Sequence, residues 1–292
     1  MGIIWHMTRT RSVVLVLAIA HSACVSAGGG RTTPRPLPTT TTGVVLNTGG
    51  PWTLGVPARS EKVLITTEAT VVIAGDTTVR TDTVHATLAA SYTWTGSAPR
   101  KVDGQLTDYR VAVGAAVPAA PPGLQFARPF SATATPTASA LVFTLPAEAT
   151  ACTDPALSSV QGLQDAWVAV PARLTVGQQW TDTVTTLSCR DRVPLHGISV
   201  RRFVVKRGEV EDGKRVLVVI ERTARGRLTG EGDQFGEKLT ISGESNGIML
   251  YLLDPVAGHF VRASGGSSLS FTFRSSRRNQ RVRQSSVLTL TW

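Results

Sequence analysis

Residues 243–247, Gly-Glu-Ser-Asn-Gly, match the G-x-S-x-G pattern in which a serine is held out on a sharp turn as a nucleophile. Asp254 and His259 come after it in the order of a hydrolase triad. That chemistry needs a strand before the serine and a helix after it. The apolar run Ile248 to Leu253 instead reads as strand, and the acid and base stand too close together to sit on separate loops. The stretch is therefore read as a turn or a bend within one long strand. His85, His196 and His259 lack the i, i+2 or i, i+4 spacing that gathers metal ligands. Residues 230–236, Gly-Glu-Gly-Asp-Gln-Phe-Gly, have the wrong spacing for a dinucleotide loop and no helix after them. We expect no catalytic residue, no metal and no cofactor.

The cysteines say more. Arg9 and Arg11 precede the apolar run Val13 to Ala20, and small residues come next, the pattern of an export signal. The run is too short to span a bilayer, which takes about 20 residues. Met7, just ahead of the basic pair, is an alternative start. Two cleavage readings are open. His21-Ser22-Ala23-Cys24 resembles a lipobox, giving a signal over 1–23 and a lipidated Cys24; Val25-Ser26-Ala27 is a small-x-small site, giving a signal over 1–27. Both carry the chain out of the cytoplasm, either to the cell envelope as a lipoprotein on a periplasmic or outer-membrane face, or as a secreted protein. In an oxidising compartment Cys152 and Cys189 remain as a pair, and we expect them to form a disulfide rather than two separate buried thiols.

The 292 residues include 30 Lys and Arg against 20 Asp and Glu, a formal charge of +10, with 42% hydrophobic and 17% charged residues. Mean hydropathy is +0.07. This excludes a charge-rich disordered chain and a multispan helical membrane protein, and allows one large domain or two small ones. Much of the basic excess is late arginine, including Arg201, Arg202, Arg225, Arg227, Arg281 and Arg283. Such a surface would suit lipid or another anionic envelope component, but we read it first as composition bias, since alternating strands must put something polar outside. Nucleic acid is excluded by the compartment. The membrane contact expected from sequence runs through the N-terminal lipid anchor, and the oligomeric state is not legible.

Residues 24–50, rich in Thr, Pro and Gly, read as a disordered tether. From Pro51 the period is two. Val216, Val218, Ile220, Ala224, Gly226 and Leu228 share one face, with Arg222 the exception, while Glu221, Thr223, Arg225 and Arg227 share the other. Leu269, Phe271 and Phe273 continue the apolar face, as do Leu288, Leu290 and Trp292. The candidate ligand-binding face is thus Val216, Val218, Ile220, Leu228, Leu269, Phe271 and Phe273. Turn signals at Gly75-Asp76, Asp212-Gly213 and Asp254 to Gly258 join consecutive strands into a meander. Asp154 to Trp167 reads as the one short helix. The proline-rich stretch 115–129 is either a sub-boundary within the 51–292 domain or a long loop. Thr-Asp-Thr-Val at 81–84 and again at 181–184 is read as coincidence rather than duplication. The expected fold is all-β, a long curved antiparallel meander forming a half-barrel or cup with one helix packed on it.

Pro171-x-x-Leu174-x-x-Gly177-x-x-Trp180-x-Asp182-Thr183, the alternating strands after it and the Asp254-Pro255-Val256-Ala257-Gly258 turn together resemble a group of uncharacterised bacterial envelope proteins, mostly predicted lipoproteins. The likeness covers about residues 150–292 and implies a β-rich envelope domain; it carries over no site residue. The function expected from sequence is a non-enzymatic envelope protein that binds an apolar or lipidic ligand in a β-cup. The alternatives are a structural or adhesive lipoprotein with a solid core and an outer-membrane β-barrel.

Overall fold

The computed structural model describes residues 49–55, 60–75, 78–95, 100–120, 129–136, 141–144, 152, 162–190, 193–234, 236–277 and 279–292. The export signal, Cys24 and most of the tether lie outside these residues, as do residues 154–161 of the expected helix.

Alternating apolar side chains build long strands: β1 Trp52–Thr53, β2 Ser60–Ala74, β3 Val79–Thr95, β4 Arg100–Val113, β5 Pro129–Pro136, β6 Leu141–Thr144, β7 Arg173–Leu174, β8 Gln179–Arg190, β9 Val193–Glu211, β10 Arg215–Gln234, β11 Glu237–Asp254, β12 His259–Arg274 and β13 Asn279–Thr291. All but β1 and β7, which pair with each other, form one 11-stranded antiparallel sheet in the order β6-β5-β4-β3-β2-β13-β12-β11-β10-β9-β8. The fold is the all-β meander expected, in two runs, β2 to β6 and β8 to β13. They are joined where the first long strand, β2, pairs with the last, β13. The sheet curls like a cup. Its edges β6 and β8 approach within 8 Å, yet they are not neighbours in the hydrogen-bonded order, so the barrel is not closed.

The turns obey their residues. Asp212 and Gly213 both have positive φ, 51° and 68°, in the three-residue connection Asp212 to Lys214 between β9 and β10. At the β11–β12 turn the Asp254 carboxylate accepts hydrogen bonds from the amides of Val256 and Ala257, at 2.9 and 3.0 Å, and from Arg215 Nε at 2.8 Å. Burial opposes ionisation of Asp254, but these donors outweigh it and hold the carboxyl below its usual range. Residues 115–129 connect β4 to β5, which pair directly in the same sheet. The two Thr-Asp-Thr-Val segments occupy unlike places, one inside the sheet on β3 and one on the edge strand β8. Gly243 to Gly247 lie within β11 without a turn.

One face of the sheet looks inward onto a single core. It includes Ile65, Leu88, Val102, Phe203, Ile220, Tyr251, Phe271, Phe273 and Leu290, each at most 1% exposed. A small second cluster, Leu217, Val219 and Leu252, comes from positions that alternate with core residues on β10 and β11. The run Val216 to Ile220 is apolar on both sides, which is why simple alternation does not disclose this second cluster.

Candidate functional site

Across the sheet register, one inner row reads Arg201, Ala224, Gly247, Ser267, Ser286 and Ala69, and the next reads Phe203, Arg222, Met249, Gly265, Leu288 and Thr67. Small side chains dominate the first row. Gly265 in the second row permits a close approach, since a Cβ there would fall 2.0 Å from the Ile248 carbonyl oxygen. Such rows leave interior volume for something other than strand side chains, and two arginines point into it.

The chain's own connection between β6 and β7 enters that volume. Where sequence periodicity predicts the end of a helix, the described residues form only a 3-10 turn, Leu163–Asp165. Gly162 to Trp167 are all buried. Trp167 packs against Tyr92 of β3 and Phe130 of β5, with ring centroids 6.1 and 5.8 Å apart. Gln164 Nε2 donates to the Thr185 carbonyl of β8 at 3.2 Å. The Tyr251 hydroxyl of β11 donates to the Asp165 carbonyl at 2.9 Å. The turn therefore touches strands on opposite sides of the cup, and it fills the cup rather than covering it.

Two buried ion pairs fix it there. Arg201 of β9 meets Asp182 of β8 in a bidentate pair, Nε to Oδ1 at 2.6 Å and Nη2 to Oδ2 at 2.5 Å, with both side chains at most 3% exposed. Its remaining donors reach the carbonyls of Gln164 at 2.8 Å and Trp167 at 3.3 Å. Arg222 of β10 pairs with Asp165 on the turn itself, both side chains under 10% exposed, and its guanidinium lies 5.7 Å from the Tyr251 ring centroid. The orphan carbonyls of a short turn need donors when buried, and arginine supplies several in fixed geometry. Burial pushes the Tyr251 hydroxyl well above the ordinary phenol value, with the nearby arginines pulling the other way, so it stays a donor.

Cys152 and Cys189 form the expected disulfide, with Cα atoms 4.9 Å apart. Cys189 lies on β8, so the bond ties Cys152, ahead of the inserted turn, to that edge strand. On the loop-closure model, replacing both cysteines by serine is expected to cost about 2–4 kcal/mol. Denaturant melts of the double variant check this; an unchanged midpoint would show that the ion pairs alone hold the connection.

Of the expected ligand-binding face, Val218, Ile220, Leu228, Leu269, Phe271 and Phe273 are core residues no more than 6% exposed, and Val216 is half-buried near the β9–β10 turn. Phe271 and Phe273 pack edge to face with centroids 5.1 Å apart. The triad-like residues are not brought together: Ser245 is buried mid-strand, about 30 Å along β11 from Asp254 at a strand's rise per residue. His85 and His196 are exposed, and among the described residues no group of three or more His, Cys, Asp or Glu is placed to hold a metal. Asp165, Asp182 and Arg201 are not discernible from alternation; the break at Arg222 was the one visible signal.

No protein-family model and no curated protein matches the chain. It is similar to two solved structures from Pseudomonas aeruginosa, those of OccK11 (OpdR) and OpdL. Identity is 9% with each, covering 84% and 80% of this chain and 99% of each of theirs, with a TM-score of 0.21 in both cases. At that score the likeness carries no argument about function.

Proposed function

We propose that this is a non-enzymatic cell-envelope protein of the structural or adhesive kind, held by a lipid on Cys24 and acting through its outer surface. The observation that carries the reading is the buried Gly162 to Trp167 turn, clamped by Arg201 and Arg222 inside the sheet. It supports a filled interior over a cup left open for an apolar or lipidic ligand, because the chain itself occupies the place such a ligand would take. The outward side chains on β10 and β13, among them Arg225, Arg227, Arg281 and Arg283, are exposed and charged, which supports this reading over an outer-membrane barrel with its outward apolar band.

Anchoring and filling are tested together. Cys24→Ser is expected to move the protein from the detergent phase to the aqueous phase without changing its melting temperature, and protein prepared without detergent is expected to carry no stoichiometric lipid in native mass spectrometry. A mature N-terminus at Gly28 or unchanged partitioning overturns the anchor; a retained lipid overturns the filled interior.

A further inference from the structure

We propose that the outward face of β9 to β13 docks onto an anionic phospholipid bilayer, an inference that goes beyond the reading above because it needs no acyl anchor. Successive outward rows across these strands are Val200, Arg225, Asn246, Ser268 and Ser285, then Ile198, Arg227, Glu244, Ser270 and Arg283, then His196, Thr229, Ser242, Thr272 and Arg281. The four arginines are exposed, and none makes an ion pair among the described residues. Glu244 is the carboxylate within these rows.

Many other basic groups are matched, although exposed Lys62, Arg173, Arg202, Lys214 and Arg274 also make no ion pair among the described residues. Arg110 pairs with Asp108, Lys206 with Glu221, Arg207 with Glu209, Lys238 with Glu231 and Arg277 with Glu237. The four guanidinium groups of Arg225, Arg227, Arg281 and Arg283 lie on β10 and β13, with β11 and β12 between them, about 15 Å apart across the sheet.

Alternation also reverses at this place. Ile198 and Val200 point outward, 53% and 51% exposed, while Ser199 and Arg201 beside them point into the core. Inward Arg201 is accounted for by the clamp on the inner turn; outward Ile198 and Val200 have no packing partner in the core. They stand one strand away from Arg227 and Arg225. Guanidinium groups bind phosphate oxygens in pairs of hydrogen bonds, and aliphatic side chains beside them fit the headgroup level of a bilayer rather than a dissolved polymer.

The test uses the chain beginning at Gly28, which keeps every described residue and lacks Cys24. It is expected to sediment with vesicles of phosphatidylglycerol and phosphatidylcholine in equal parts, to release as salt is raised, and to ignore phosphatidylcholine alone. Replacing Arg225, Arg227, Arg281 and Arg283 by Gln is expected to weaken vesicle binding by at least about tenfold, with no change in melting temperature. Replacing Ile198 and Val200 by Ser is expected to weaken vesicle binding while leaving any binding of inorganic polyphosphate unchanged. No binding to the anionic vesicles, or equal loss when the matched Arg110 and Arg207 are replaced by Gln, overturns the proposal. Vesicle binding unaffected by the Ile198 and Val200 changes, with strong polyphosphate binding, assigns the face to a soluble polyanion instead. Each of these failures leaves the Cys24 anchor to be judged by its own partition experiment.

Discussion

Arg222→Met is expected to destabilise the protein by about 3–5 kcal/mol, the range for removing one partner of a buried ion pair. Met approximates the length of the arginine stem, so little packing is lost. The change removes the charge opposite Asp165 and the contact over the Tyr251 ring. Asp165 then lies buried without its partner, and the turn loses one of its two arginine clamps. Pairing the change with Asp165→Leu is expected to recover most of the loss, since an apolar replacement of both partners is often neutral or better. Denaturant melts of the two single variants and the double variant give the coupling. Hydrogen exchange at residues 163–167 is expected to accelerate in Arg222→Met and to slow again in the double variant. A cost below about 1 kcal/mol, the scale of a solvated pair, would mean that water reaches the guanidinium and that the interior is not filled.

Phe271→Arg is expected to abolish folding. Phe271 is 1% exposed, packed on Phe273 and opposite Gly243, where a Cβ would already lie 2.6 Å from the Phe271 Cβ. There is no room for a longer side chain, and its cross-strand neighbours Gly243 and Val282 offer no carboxylate, so an unpaired buried charge costs several kcal/mol, comparable to the whole stability of a domain. Phe271→Leu, which conserves character and loses little volume, is expected to cost about 1 kcal/mol and to fold. Circular dichroism and solubility distinguish the two. A folded Phe271→Arg protein with a near-native melting temperature would show a solvated lumen and revive the ligand-cup reading.

The strands were legible because their residues obey one rule each. From Thr223 to Thr229 the inner and outer faces separate in the sequence as they do in space, whereas Val216 to Ile220 is apolar on both faces and Arg222 is an inner charge, and Asp212-Gly213 announces its own turn. The interior turn was not legible, for a physical reason: Leu163 and Trp167, spaced by four, satisfy a helix and an inserted turn equally, since burial on every side imposes no single-faced pattern. Asp165 and Gln164 look solvent-facing by type. Only their pairing with residues on β8 and β10, far apart in the chain, makes them interior. On β9 a deeper inversion hid the site, because Ile198 and Val200 suggest an inner face that Ser199 and Arg201 in fact occupy. Local alternation assigns faces by polarity, and it fails where an inner charge is compensated by a partner from another part of the chain.

The junction of the two meanders has a consequence in time. Leu64 of β2 pairs with Thr291, far later in the sequence, so synthesis delivers β2 well before its partner. Until β13 is made, β2 presents a long unpaired ladder edge to any other chain nearby. The closing step is a slow, non-local one that no hairpin can hasten. Nascent molecules thus share a hazard absent from finished ones, and the threonines and glutamates spaced along β2 are the sort of residues that keep such an edge soluble while it waits.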